Sequence, residues 1–203
     1  MSTTMLAAVN RVLRRVGKQV VAALDTDGGS LASYAEREIN DASTMIQTEG
    51  WSWNTRNDKE VTATNGQFVL STFEPGSDSV LSAATTGTGE PNVAISNTVL
   101  NNLDTNSTTF TETTLTLDYV YLRPITDVPE AFVNWMISHA ALRLSRQFYN
   151  NPSLEQLIAA EILDARRIAL RDEIRVVEAN VLETTNLRQI RGRPRMRDRS
   201  ING

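Results

Sequence analysis

Few residues in this chain have chemistry to offer. His139 is the single histidine, and it follows Met136 by three positions and Trp135 by four. A general base needs a nucleophile and an orienting group within reach; no motif supplies them, so His139 reads as a packed residue of an apolar helix. Carboxylates come in pairs at Glu36/Glu38, Asp58/Glu60, Glu155/Glu161 and Asp172/Glu173. Glycoside hydrolysis requires two such groups facing each other across a cleft, one with a raised pKa. Those in helical stretches sit among arginines at surface-type positions, and a solvated face accounts for them better. Gly87-Thr-Gly-Glu90 is a two-glycine turn without the following helix that would complete a phosphate cradle. The chain has no cysteine, which excludes disulfides, thiolate nucleophiles and sulfur-ligated metals, and a lone histidine excludes multi-His metal sites. No nucleotide-binding glycine loop, HExxH or GxSxG element occurs. The expectation is no catalytic residue, no metal site, no cofactor and no small-molecule substrate.

Two other features stand out. Trp51 and Trp53 flank Ser52 after Gly50. They could form a ligand platform, but an alternating pair entering a strand puts both rings on one face, and the better reading makes them anchors between a helical part and the strand-like segment after it. The second feature is Arg188, Arg191, Arg193, Arg195, Arg197 and Arg199, set against Asp198 alone. That segment is net +5 in a chain of total charge −4, which leaves −9 for the remainder. Gly192 and Pro194 forbid a stable helix there. Such an arm binds nucleic-acid phosphates or an acidic protein surface; with no aromatic residues interleaved, stacking on single-stranded bases is not supported. An acidic body with a basic end points to docking through that end.

These residues must be positioned by two kinds of element. Met5, Leu6, Val9, Val12, Leu13 and Val16 repeat at helical spacing over residues 3–17, with Asn10, Arg11, Arg14 and Arg15 on the other face and Gly17 as the stop. Ser30 is a candidate N-cap for a second helix presenting Leu31, Tyr34, Ala35, Ile39, Ala42, Met45 and Ile46 and ending at Gly50. From Lys59 to Arg123 the texture becomes Thr- and Ser-rich and strand-like. Asn65-Gly66 predicts a hairpin between Glu60–Thr64 and Gln67–Thr72, and further strands are expected at 79–83, 92–96, 98–103 and 113–122. This stretch is too poor in apolar residues to make a thick core alone, so a small sheet leaning on helices or on neighbouring subunits is expected. Helices resume with Asp127 as cap and Glu130 in the first turn, running to about Tyr149. Asn150-Asn151-Pro152 breaks the run, and a long helix extends from about Ser153 to Leu182 with a stripe of Leu154, Leu157, Ile158, Ala165, Ile168, Ala169 and Val176.

With 203 residues, 40% of them hydrophobic, the chain can bury one sizeable core or a core plus a satellite. No apolar run reaches the ~18–20 residues that cross a bilayer, and no signal peptide is expected, since Met1 to Ala8 lacks a basic region followed by an apolar stretch. Helices at both ends of the sequence can bury their stripes against each other. The expected fold is therefore α+β, mainly α: a four-helix bundle (residues 1–54 and 124–184) interrupted by a small Thr/Ser-rich β domain (55–123), with an extended C-terminal arm (185–203).

Leu6-Ala-Ala-Val-Asn10, then Val12-Leu13, Val16-Gly17 and Val20-Val21-Ala-Ala-Leu24, resemble the opening of the tail tubular protein A family of short-tailed bacteriophages (podoviruses). Similar too are Glu49-Gly50-Trp51-Ser52-Trp53-Asn54 and the re-entry Tyr121-Leu122-Arg123-Pro124 with Val128-Pro129-Glu130-Ala131-Phe132. Ala140-Ala141-Leu142, Gln147-Phe148 and Ala165-Arg166-Arg167 complete a likeness covering nearly all of residues 3–180. It departs in the β segment from about 71 to 111, which is richer in Thr, Ser and Asn, and in the arginine tail.

The resemblance implies a virion protein of the tail, assembled in the host bacterial cytoplasm. It implies a homo-oligomer, a dodecameric ring between the portal protein and the nozzle (tail tubular protein B), which helps attach a tail fibre or spike. Genomic DNA would pass through the lumen without sequence-specific binding, and an acidic wall that repels it suits that role. The arginine tail would then reach the portal or a neighbouring subunit. Two other readings stay open: a tail-associated hydrolase of host surface polysaccharide, needing two converging acids near the β segment, and a DNA-binding protein acting through Arg188–Arg199.

Overall fold

The computed structural model describes residues 3–24, 28–74, 79–87 and 89–183. The chain is α+β, with four helices and five strands among the described residues. The helices are α1 (Met5–Arg15), α2 (Leu31–Gln47), α3 (Glu130–Phe148) and α4 (Pro152–Glu183); the strands are β1 (Thr55–Thr62), β2 (Ser79–Thr85), β3 (Val93–Ser96), β4 (Val99–Asn102) and β5 (Thr114–Leu122). None of the described helices is long and apolar enough to cross a membrane.

The predicted helix punctuation is mostly in place. Ser30 caps α2 by accepting the Ser33 N–H, and α1 has a cap that was not expected, Thr4, which accepts the Ala7 N–H. At Gly17 (φ 72°) the Lys18 N–H reaches Leu13 O at 2.8 Å and the Gly17 N–H reaches Arg14 O at 3.0 Å, the paired closure that a left-handed residue permits. Asn151 caps α4 through the Leu154 N–H, with Pro152 in first position. Asp127 does not cap α3. It lies in a short 3-10 turn (Ile125–Asp127), and α3 starts after Pro129, whose carbonyl accepts the Phe132 and Val133 N–H groups. Pro129 disfavours helical geometry at Val128, so the helix cannot begin earlier.

Helix α3 is the hub of the helical part, in contact with α1, α2 and α4. Its Phe132, Val133, Trp135, Met136, Ile137, Ala140, Ala141 and Leu144 are buried together with Val9, Val12 and Leu13 of α1 and Ile39 and Ile46 of α2. The expected division of α1 into an apolar and a solvent face needs correcting, because Arg11 and Arg15 lie against a polar edge of α3 instead. Met45 of α2 is also more exposed than its stripe implied. On α4 the correction is larger: Ile158 and Ala169 are buried, but Leu157, Ile168 and Val176 of the predicted stripe are exposed.

A second core lies under the strands. β5 is the central strand of an antiparallel sheet in the order β1-β5-β2, and β3 and β4 form a separate two-stranded ladder. The strand expected at 113–122 is β5, and its Leu115, Leu117, Tyr119 and Tyr121 alternate inward. The thin sheet expected here is instead backed by Phe68, Phe73 and Phe110, aromatics supplied by loops and turns rather than by strands. The Asn65-Gly66 turn exists, with both residues at positive φ and Thr64 bridging Gln67, but its flanks do not form the predicted ladder. β1 pairs with β5, while the segment after the turn pairs with β4 through the Leu70 N–H to Thr98 O and the Leu100 N–H to Phe68 O. Burial of Phe68 and Leu70 beside Leu100 decides that pairing, since β1 offers this core only Val61.

Candidate assembly site

The two cores meet where α2 ends and β5 returns to α3. Gln47 and Asn54, both fully buried, tie that crossing together. The Gln47 side chain accepts the Arg123 N–H at 2.8 Å and donates to Arg123 O at 3.0 Å. Asn54 accepts the Trp51 N–H at 2.7 Å and donates to Gln47 O (2.9 Å) and Tyr121 O (3.2 Å). Gly50, at φ 75°, makes room, for a Cβ there would lie 3.1 Å from Val120 Cγ2. The two predicted tryptophans sit beside this clasp. Trp51 is buried, donates its indole N–H to Ile46 O at 2.7 Å and packs edge-on against Phe132 and Trp135; Trp53 packs edge-on against the same Phe132. They share a face because residues 52–54 turn, not because they enter a strand as expected. Gln47 and Asn54 escape sequence reading, since a buried amide looks in sequence like any surface amide.

A polar seam joins α1, α3 and α4. Arg11 donates to Glu130 (2.6 Å) and to Asn134, and Thr3 donates to Glu130 at 2.7 Å. Burial pushes the Glu130 carboxyl up, but these hydrogen bonds and the Arg11 charge outweigh it and hold the group below its ordinary value. Arg15 donates to Ser138 at 2.8 Å and lies 3.3 Å from Glu161. Burial lowers the Arg15 pKa, opposed by Glu161 and reinforced by Arg11. Glu130, Asn134 and Ser138 are spaced by four, one stripe of a helix.

The carboxylate pairs do not converge. Glu38 faces Arg143, Glu155 faces Arg146, Glu161 faces Arg15 and Asp172 faces Arg175. Glu173 accepts both the N–H and the hydroxyl of Ser52. In the β part, Asp118 accepts the Asp58 N–H and Asp58 accepts the Thr86 hydroxyl, while among the described residues lining a cleft of about 450 Å³ beside β1 Glu60 is the one acid. The Gly87 turn is filled by its own Glu90, which accepts the Gly87 N–H at 3.0 Å and the Thr116 N–H at 2.9 Å. His139 is half-buried beside Trp135, its pKa lowered by burial and then by Arg143. Among the described residues no three His, Cys, Asp or Glu side chains gather as a metal site. The six arginines from Arg188 to Arg199 lie outside the described residues.

What the described surface does offer is apolar. Beyond its packed edge, α4 exposes Leu157, Leu163, Ile168, Leu170, Ile174, Val176 and Val177. Exposed apolar surface on this scale is of the kind that protein–protein contacts cover.

No curated protein matches the chain. The model of the tail tubular protein family matches residues 6–178, a range that covers α2, α3, the five described strands and most of α1 and α4. That family supplies structural components of the phage virion tail, which assemble with other virion proteins. On this match, spanning most of its length, the chain belongs to the tail tubular protein family.

Proposed function

We propose that the chain is the adaptor of a short tail, a ring-forming structural protein that joins the portal to the nozzle and helps attach tail fibres or spikes. The observation that carries this reading is the uncovered aliphatic surface of α4, which suits a subunit completed by its neighbours, in a chain of the tail tubular family. In this reading residues 1–54 and 124–184 are a helical bundle that builds the ring, and 55–123 form a β insert with its own core. Trp51 and Trp53 anchor one to the other. Residues 185–203 are an arm whose arginines, Arg188 to Arg199, dock on the portal or a neighbouring subunit by charge. DNA passes through the lumen past an acidic body without sequence-specific contact. Catalysis has no part in this role.

The test is mass measurement of the purified protein alone and with portal, for the full chain and for a chain truncated after Leu187. The reading expects a ring on the portal from the full chain, and a folded but poorly docking truncated chain. Absence of any complex between the full chain and portal overturns the adaptor role; docking unchanged by truncation overturns the role of the arm.

A further inference from the structure

The exposed face of α4 has a period. Ala160, Leu163, Arg167, Leu170, Ile174 and Val177 alternate spacings of three and four, the a and d positions of a heptad seam. The seam lies roughly 140° around the helix from the buried Ile158 and Ala169 at 3.6 residues per turn. Its aliphatics are well exposed, Leu163 at 64%, Ile174 at 56%, Val177 at 42% and Leu170 at 37%. The contacts that hold α4 in the subunit, to α3, to Arg15 of α1 through Glu161 and to Ser52 through Glu173, leave these aliphatics of the second periodic face exposed.

The residues flanking the seam say what covers it. On one side stand Arg166 and Glu173, on the other Asp164 and Arg171. If a second copy of α4 runs parallel and in register, Arg166 meets Arg171 of that copy, a repulsion. If it runs antiparallel, Leu163 faces Ile174 of the second copy, Leu170 faces Arg167 and Val177 faces Ala160. Arg166 then stands beside Glu173 of the other copy and Asp164 beside Arg171, so every flanking pair is opposite in sign. The flanks are already held in place: Arg166 lies over the Trp135 ring at 5.7 Å, and Ser52 orients Glu173 through two hydrogen bonds at 2.7 and 3.0 Å. A charged residue at one a position limits affinity and fixes register, while the flanking charges set orientation; Arg167 is that charged residue.

We propose that α4 is the site of self-association of the free subunit, pairing antiparallel with α4 of a second copy through this seam. Such a contact uses the same patch on both partners, so it closes at two and cannot by itself propagate round a ring. The pair is a state of the subunit off the portal, and forming a ring must open it or leave it aside. The proposal stands on the geometry of α4 and not on the adaptor reading.

The chain has no cysteine, so single cysteines can carry nitroxide labels on an otherwise native protein. Sedimentation equilibrium of the full chain without portal should show a monomer–dimer equilibrium, and Leu170→Lys, which sets Lys against Arg167 of the partner, should weaken it at least tenfold. Arg171→Asp should weaken it as well, and Asp164→Arg added to it should restore it. Labels at Leu170→Cys should lie within about 10 Å of each other, the spacing of packed helices. Labels at Val177→Cys should lie about 25 Å apart, since 17 residues separate each from the level of its counterpart at 1.5 Å per residue. A monomer at every concentration overturns the proposal. So does a dimer in which Val177→Cys labels are the closer pair, or a charge swap that fails to restore association. None of these outcomes alters whether the full chain docks on portal, so failure here and failure of the adaptor reading are separate results.

Discussion

Replacing Asn54 by Ala tests whether one buried amide couples the two cores. The side chain accepts the Trp51 N–H at 2.7 Å and donates to two carbonyls, Gln47 O and Tyr121 O, and Asn54 itself is fully buried. Alanine leaves the Trp51 N–H buried without that acceptor, at a cost of about 1–3 kcal/mol, and each lost neutral hydrogen bond is worth about 1 kcal/mol more. The expected loss is therefore about 3–5 kcal/mol, a large share of the roughly 5–15 kcal/mol by which a domain of ordinary stability is folded. The perturbation should also change the shape of unfolding. Trp51, Trp53 and Trp135 all belong to or pack on the helical core, whereas Tyr119 and Tyr121 lie in the β core. Urea unfolding followed by tryptophan emission and by far-ultraviolet dichroism should coincide in the parent and separate in Asn54→Ala, because coincidence of probes is the mark of coupled melting. A loss below about 1 kcal/mol, the worth of a single ordinary hydrogen bond, with the two curves still superimposed would refute the coupling role of Asn54.

Three further outcomes are expected. Gly50→Ala forces a left-handed residue to carry a Cβ 3.1 Å from Val120 Cγ2, and should cost about 1–2 kcal/mol in thermal or urea unfolding. His139 has its pKa lowered from 6.5 by burial and by Arg143, so the unfolded chain binds its proton more readily; stability should be full above about pH 6.5 and decline as the pH falls through that value. The single imidazole signal in proton NMR reads this titration directly, and His139→Phe should flatten the slope. The Tyr119 phenol, pushed up to about 12 by burial and then by Glu74, keeps its proton in the folded state, so stability should fall as the pH rises from about 10 to 12. Tyr119→Phe should abolish that fall while costing about 1 kcal/mol at neutral pH through the lost bond to Phe73 O.

Helix ends and the central strand were legible because their signals are local. Gly17, Ser30, Asn151 and the alternation of Leu115, Leu117, Tyr119 and Tyr121 each depend on a few adjacent residues. What sequence reading missed depends on partners far along the chain. β1 begins with Thr55-Arg-Asn-Asp-Lys-Glu60, polar residues without alternation, and becomes a strand because β5 offers it a register. Asp127 carries a cap-like pattern, but Pro129 moves the helix start past it. Arg11 and Arg15 look like solvent residues until Glu130, Asn134, Ser138 and Glu161 arrive from more than a hundred residues away. The Trp51/Trp53 pair was visible, but the clasp beside it was not: nothing in the spelling of Gln47 or Asn54 separates a buried crossing from an exposed turn. The exposed face of α4 was partly hidden for a similar reason. One helix carries two apolar faces, and composition alone cannot say which of them meets α3.

The connectivity of the sheet has a mechanical consequence. β1 leaves the helical part at Thr55 and β5 rejoins it after Leu122, and these ends are antiparallel neighbours, with Thr55 opposite Val120. A tension drawing the β part away from the helices would therefore load both strands at the same end. The ladder would open one rung at a time, like a zipper, instead of resisting as a whole in shear. The first rung to take that load is the Tyr121 N–H to Asn54 O bond at 3.0 Å, closed by the Asn54 side chain on Tyr121 O. The Gln47 bonds to Arg123 and the Asn54 bonds to Tyr121 share that end of the ladder, so a pulling experiment along that axis should register a low rupture force that Asn54→Ala lowers further.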